Sequence, residues 1–246
     1  VAWNSKFGPF LIATGALLST ALSTDAQQPE RVYRIGFLTT GSSLLPSSRL
    51  LLLDRLLDRL GELGYVEGQN IVLERRIAPG AGDQLDQAAE ELVKLEVDAI
   101  IAVATPAARA AQKATATIPI VFVGVADPVA AGLVSNLAHP DRNITGLSIL
   151  APELSGKRLQ LLMEIVPKLS RLAIFWNPSN VSNAVQVREV EDAARRLSVN
   201  TQVLEVRTVD DIEKNLQAAV QRRAGALMLV DDPLLFTQRT RVAELA

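Results

Sequence analysis

The sequence predicts an α/β protein made of two lobes, each a parallel sheet flanked by helices. Three observations point there. Apolar runs of strand length alternate with segments of helical periodicity along the chain. Hydrophobic residues make up 48% of the 246 residues but aromatics only 4%, so the core must be built from Leu, Val, Ile and Ala, as suits parallel sheets. And the strand–helix cycle runs through twice.

The N-terminus comes first. Lys6 precedes an apolar, small-residue stretch from Phe7 to Leu22, and polar Ser23–Gln28 follows. A basic start, an apolar middle and small residues at Thr24 and Ala26 predict a secretory signal peptide over residues 1–26, cleaved after Ala26. A membrane anchor is the competing reading. Against it, the stretch is shorter than the ~20 residues that span a bilayer and contains Gly8, Pro9 and Gly15. No other segment is long and apolar enough to cross, so the mature protein is expected to be soluble.

Lobe one is expected over residues 27–144. Val32–Leu38 is an apolar, β-branched run of strand length. From Pro46 to Leu63, leucines at 50, 53, 56, 57, 60 and 63 fall at helical spacing, with Asp54, Arg55, Asp58, Arg59 and Glu62 opposite and Gly64 as the stop. Asn70–Arg76 is the next strand, and Asp83 is expected to cap a helix through Leu95. Asp98–Val103 is a continuous apolar strand, and an Ala-rich helix runs from Pro106 to about Ala116. Pro119–Val123 is a fourth strand, and Pro128 is expected to open a short helix.

Lobe two, residues 145–246, repeats the cycle: helix Glu153–Val166, strand Leu172–Trp176, helix Asn180–Leu197, strand Thr201–Val206, helix Asp210–Arg222, strand Ala226–Val230 and a last helix from Pro233. The cycles match in detail. Asp98–Pro106 aligns without a gap on Gly225–Pro233, each an apolar strand ending in two small or polar residues and a proline suited to a first helical turn. Any two βα units share some of this likeness, but the matched order favours two similar lobes.

Ligands of open parallel sheets bind beyond the carboxyl ends of the strands, where strand order reverses. With a 2-1-3-4 order, that crevice is lined by the loops after the first and third strands of each lobe. These are Thr39-Thr40-Gly41-Ser42-Ser43 and Ala104-Thr105-Pro106 in one, and Asn177-Pro178-Ser179-Asn180 and Asp231-Asp232-Pro233 in the other. Thr39, Thr40, Ser42, Thr105, Asn177 and Asp231 are therefore candidate ligand contacts, as is Asp127 at the end of the fourth strand. Such residues also cap helices, and Asp127 before Pro128 suits a cap at least as well. Trp176, at a strand end beside the crevice, suits either ligand stacking or the core. His139 sits in a surface-like turn.

Composition excludes much else. A formal charge of −2 without a long basic run leaves no footprint for nucleic acid. The chain has no cysteine, which removes disulfides, thiolate metal sites, a thiol nucleophile and lipid attachment at cysteine; with one histidine, few nucleophile–base pairs or transition-metal sites remain. There is no Walker loop, no G-x-S-x-G and no H-E-x-x-H. Paired Asp231-Asp232 points to two sides of a strand end, a poor divalent-cation site. No catalytic residue, metal or cofactor is expected, and an enzyme is disfavoured.

Four segments carry a family resemblance: Gly61–Asn70 (GELGYVEGQN), Ile118–Phe122 (IPIVF), Asp127-Pro128-Val129 with Gly132-Leu133-Val134, and Asn143-Ile144-Thr145-Gly146. In this order and spacing they resemble the ABC transporter substrate-binding protein family of tryptophan/tyrosine type, from about Val32 to the C-terminus. The resemblance implies a type I periplasmic-binding-protein fold: two Rossmann-like lobes, joined by crossovers of which Asn143–Gly146 is the first, closing on a small-molecule solute by hinge motion. It also implies a periplasmic monomer, a membrane permease as partner, and transport in place of catalysis. Family members continue well beyond the equivalent of Ala246, so a C-terminally incomplete second lobe, with weakened or absent transport, is the expectation here. An exported ligand sensor on the same fold is the alternative reading.

Overall fold

Two sheets of entirely parallel strands carry the chain, as the alternation of strand and helix requires. The computed structural model describes residues 31–41, 46–79, 82–140, 142–149 and 151–246, with the backbone alone at 46–51 and 153. The signal peptide expected over 1–26 and the candidate contact Ser42 lie outside these. Val32–Ala246 forms one compact unit containing both sheets.

The first sheet has the order β2-β1-β3-β4-β5, from β1 (Tyr33–Thr40), β2 (Ile71–Ala78), β3 (Ala99–Val103), β4 (Ile120–Val125) and β5 (Ile144–Ser148). Helices α2 (Asp83–Lys94) and α3 (Ala104–Ala114) cover one face through Leu85, Ala89, Leu92, Ala107 and Ala111, packed on Leu38, Ile100, Ala102 and Phe122. Helix α1 (Pro46–Glu62) covers the other, where Leu53 meets Phe37, Leu73 and Val103. Neighbours along β1 thus point to opposite faces. Asp54, Arg55, Asp58 and Arg59 of α1 are exposed, as its periodicity predicts.

The second sheet has the order β7-β6-β8, from β6 (Arg171–Trp176), β7 (Asn200–Glu205) and β8 (Ala226–Leu229). Helices α4 (Ala151–Ile165), α5 (Val181–Arg196) and α6 (Asp211–Gln221) pack on it with α7 (Pro233–Thr237) and α8 (Arg239–Leu245). In both sheets the chain enters at an inner strand, steps to one side, then crosses to the other. The order therefore reverses between β1 and β3 and between β6 and β8.

Several local expectations are corrected. Helix α2 starts at Asp83 itself, with Gly82 (φ +85) as N-cap and no side-chain cap bond. Helix α3 begins at Ala104, directly off β3, with Ala104 in the left-handed region at φ +68, a conformation costly for a residue with a Cβ. No helix follows Pro128. The Asp127 carboxylate accepts the N–H groups of Val129 and Ala130 and the chain closes tight turns, ended by Gly132 at φ +71. The helix from Pro233 breaks at Gln238 into α7 and α8.

Asn143–Gly146, expected as a crossover, begins an edge strand parallel to β4. Asn143 Nδ2 donates to the Ile118 carbonyl at 2.7 Å, and Ile144 is buried. A Cβ on Gly146 would lie 2.0 Å from the Phe122 carbonyl oxygen, so no side chain fits there. The Gly61–Asn70 segment is also structural: Asn70 accepts from the Val66 N–H and donates to the Gly64 carbonyl, fastening the turn between α1 and β2.

Candidate functional site

The strand ends where order reverses face a shared cleft. Two hollows line it, each walled by both lobes. The first, about 360 Å³, is bounded by Thr40, Pro79 and Pro106 on one side and by Asn177, Thr208 and Asp232 on the other. The second, also about 360 Å³, takes Ala104, Thr105, Gly124 and Ala126 from lobe one and Asp231 and Phe236 from lobe two. Both volumes fall in the range of small-molecule sites. The lobes touch where Thr105 Oγ1 lies 3.1 Å from Ser182 Oγ, both side chains buried.

Lobe two's wall is held by a network of buried amides. The Asp232 side chain, 4% exposed, accepts from Asn180 Nδ2 (3.0 Å), Asn177 Nδ2 (3.4 Å) and the Leu234 N–H (2.9 Å), which makes it the N-cap of α7. All three donors are neutral. Burial pushes the Asp232 carboxyl above the ordinary aspartate range; the bonds from Asn180, Leu234, Asn177 and Leu235 oppose that rise without cancelling it. From α5, Asn183 accepts the Asn177 N–H and donates to the Asp231 carbonyl, while Gln186 bonds both the N–H and the C=O of Asp231. The ends of β6 and β8 are thus tied to one helix face.

The loop after β7 completes the first hollow with Arg207, Thr208 and Val209. Asp211 accepts the N–H groups of Arg207 and Thr208 and the Thr208 hydroxyl, and these bonds hold its carboxyl below the ordinary range, the Thr208 and Arg207 N–H groups contributing most.

The candidate contacts divide. Thr40 and Asn177 line the first hollow, and Thr105 and Asp231 the second. The Asp231 carboxylate also pairs with Arg158 at 2.5 Å. Thr39 is wholly buried, its hydroxyl donating to the Thr40 carbonyl, and lines neither hollow. Asp127 is occupied with its own turn and also lines neither. Trp176 packs on the lobe-two core, its Nε1 buried without a hydrogen-bond partner. His139 is exposed. Sequence reasoning overlooked the loops after β2 and β7, and took Asp231 where Asp232 is the more deeply built-in. The signal for Asp232 was present, since an aspartate directly before a proline is a strong N-cap pattern.

The comparisons agree with this architecture. Residues 46–238 match the family described as ABC transporter substrate binding protein, and the chain belongs to that family. A tyrosine-binding protein of Clostridioides difficile is 30% identical over 187 residues, covering 76% of this chain and 53% of that one. The chain therefore spans about half the length of this curated relative. A conserved domain protein from Vibrio cholerae is 27% identical with a TM-score of 0.76, over 87% of this chain and 72% of the other. The structure of an ABC domain in complex with L-Trp from Streptococcus pneumonia, 22% identical, shares the fold with a TM-score of 0.78, over 87% of this chain and 70% of that one. The fold is that of the type I periplasmic binding proteins.

Proposed function

We propose that this protein captures a small, amino-acid-like solute in the cleft between its lobes and presents it to the membrane permease of an ABC importer, acting as a periplasmic monomer after export. No bond to the solute is made or broken. The observation that carries the reading is the first hollow, where Thr40 and Pro106 of one lobe face Asn177, Thr208 and Asp232 of the other. A solute seated there contacts both walls, so it binds the closed arrangement better than an open one and shifts the population by that difference. The amino-acid class is inferred from the tyrosine-binding relative. The lobe boundary expected at 144/145 is proposed to fall after β5 instead, because Ile144–Ser148 pairs with β4 in the first sheet.

A thermal-shift screen of the purified chain against L-amino acids and unrelated metabolites tests this. A ligand at a hundred times its Kd stabilises by about 2.7 kcal/mol. Saturable stabilisation by one chemical class, with the solute recovered unchanged, is the expected result. A flat response to every compound, or conversion of a solute, contradicts the reading.

A further inference from the structure

Two corners of the fold meet at Thr105 and Ser182. Helix α3 leaves β3 without a loop, and the corner is made by Ala104 at φ +68, a left-handed conformation that a residue with a Cβ keeps only where its surroundings impose it. That strained residue sets Thr105 in the first turn of α3. On the other lobe, Asn180 caps α5 by accepting the Ser182 N–H at 3.3 Å, which sets Ser182 in the first turn of its helix. The two hydroxyls lie 3.1 Å apart, with Thr105 3% and Ser182 0% exposed. Each satisfies the other, and either one left alone would be a polar group shut away from water without a partner.

Ser182 lines neither hollow of the cleft, so its bond to Thr105 uses no atom of a solute. Separating the lobes breaks the bond. Ser182 nonetheless belongs to the frame that holds the solute-facing strand ends. Its capping residue Asn180 donates Nδ2 to Asp232, and Asn183, next along α5, accepts the Asn177 N–H and donates to the Asp231 carbonyl. The side chains that fix the ends of β6 and β8 therefore also fix Ser182, and a shift of those ends moves its hydroxyl.

We propose that the Thr105–Ser182 hydrogen bond is a closure latch, a bond between protein groups that holds the lobes together and slows release of whatever solute the cleft contains. The proposal rests on the solute-capture reading and adds a regulating element to it. The latch favours the closed arrangement equally for every solute, so it sets residence time and leaves discrimination among solutes to the hollows.

The latch is tested without knowing the solute. The chain has no cysteine, so Gln84→Cys and Asp210→Cys provide two sites for spin labels and no others. Both positions are exposed, close to Gly82 and Val209 on facing walls of the first hollow. Distances between the labels, measured on the full chain by double electron–electron resonance, give the ratio of closed to open molecules. Ser182→Ala and Thr105→Val should each lower that ratio about two- to tenfold, the factor a net hydrogen bond supplies. The double variant should open the lobes no further than either single change. Thr105→Ser, which keeps the hydroxyl, should stay with the parent. Parent-like distances in either Ser182→Ala or Thr105→Val overturn the proposal, as do additive effects in the double variant or a Thr105→Ser chain that opens as far as Thr105→Val. A chain whose closed fraction depends on Ser182 but that binds nothing in the thermal-shift screen keeps the latch and loses the solute reading; one that binds a solute and ignores Ser182 does the reverse.

Discussion

Thr105, in the first turn of α3, and Ser182, in the first turn of α5, bring their hydroxyls to 3.1 Å across the cleft, both side chains buried. Helix α3 follows directly on β3 and α5 follows β6 after the loop at 177–180, both strands at which a sheet reverses order, so this contact joins the two switch points. It also lies between the hollows, for Thr105 lines the second and its neighbour Pro106 the first.

A double-mutant cycle on Thr105→Val and Ser182→Ala measures that contact. A buried hydroxyl pair is worth about 0.5–1.5 kcal/mol net, and a coupling energy of that size is expected from urea unfolding. Additive single effects would show that the two hydroxyls do not interact in solution.

Asp232 governs a second measurable property. Its folded carboxyl holds its proton to higher pH than the unfolded one, because burial disfavours the charge. The folded state therefore binds more protons above about pH 4, the ordinary range of an aspartate. Its contribution is fully present below that pH and declines as pH rises through the raised pKa. Asp232→Asn should flatten this decline. It should also cost about 1–3 kcal/mol at low pH, because an amide group then faces the Asn177 and Asn180 donors. An unchanged pH slope in the variant contradicts the assignment.

Asp211 should act in the opposite direction. Its carboxylate is stabilised by the N–H groups of Thr208 and Arg207, so its contribution is present above about pH 4 and is lost as pH falls through the lowered value. Asp211→Asn should lower the melting temperature at neutral pH and narrow its gap from the parent in acid. Because Thr208 and Arg207 line the first hollow, solute affinity should fall with it. Equal melting temperatures at neutral pH would show that the loop does not need this carboxylate.

Gly146→Ala tests the placement of β5. With 2.0 Å between the added Cβ and the Phe122 carbonyl oxygen, the edge strand must move off β4. Forcing a methyl into a packed site costs about 1–3 kcal/mol, and amide exchange in Ile144–Ser148 should accelerate. A variant with parent-like stability and exchange would place β5 elsewhere.

The parallel sheets and their switch points were legible because Val32–Leu38, Asp98–Val103 and Leu172–Trp176 are apolar runs too short for helices, separated by clear helical periods. β5 was not, since Ile144 is its one fully buried side chain and Leu147 is 69% exposed, leaving no alternation to read. The turns after Pro128 were misread because the same Asp-Pro pair that caps α7 at Asp232 here starts a turn that Gly132 ends before a helix can form. In the site, Thr40, Thr105, Asn177 and Asp231 followed from topology. Asn183 and Gln186 did not. They are amides on the buried face of a helix, and nothing local to α5 reveals that the ends of β6 and β8 lie against them.

The central claim is that solute binds between the lobes, and amide hydrogen exchange with and without the stabilising solute tests it most directly. Protection should rise together in segments 40–41 and 105–107 of lobe one and 177–180, 207–209 and 232–234 of lobe two. Protection confined to one lobe, or gained away from these strand ends, would contradict it.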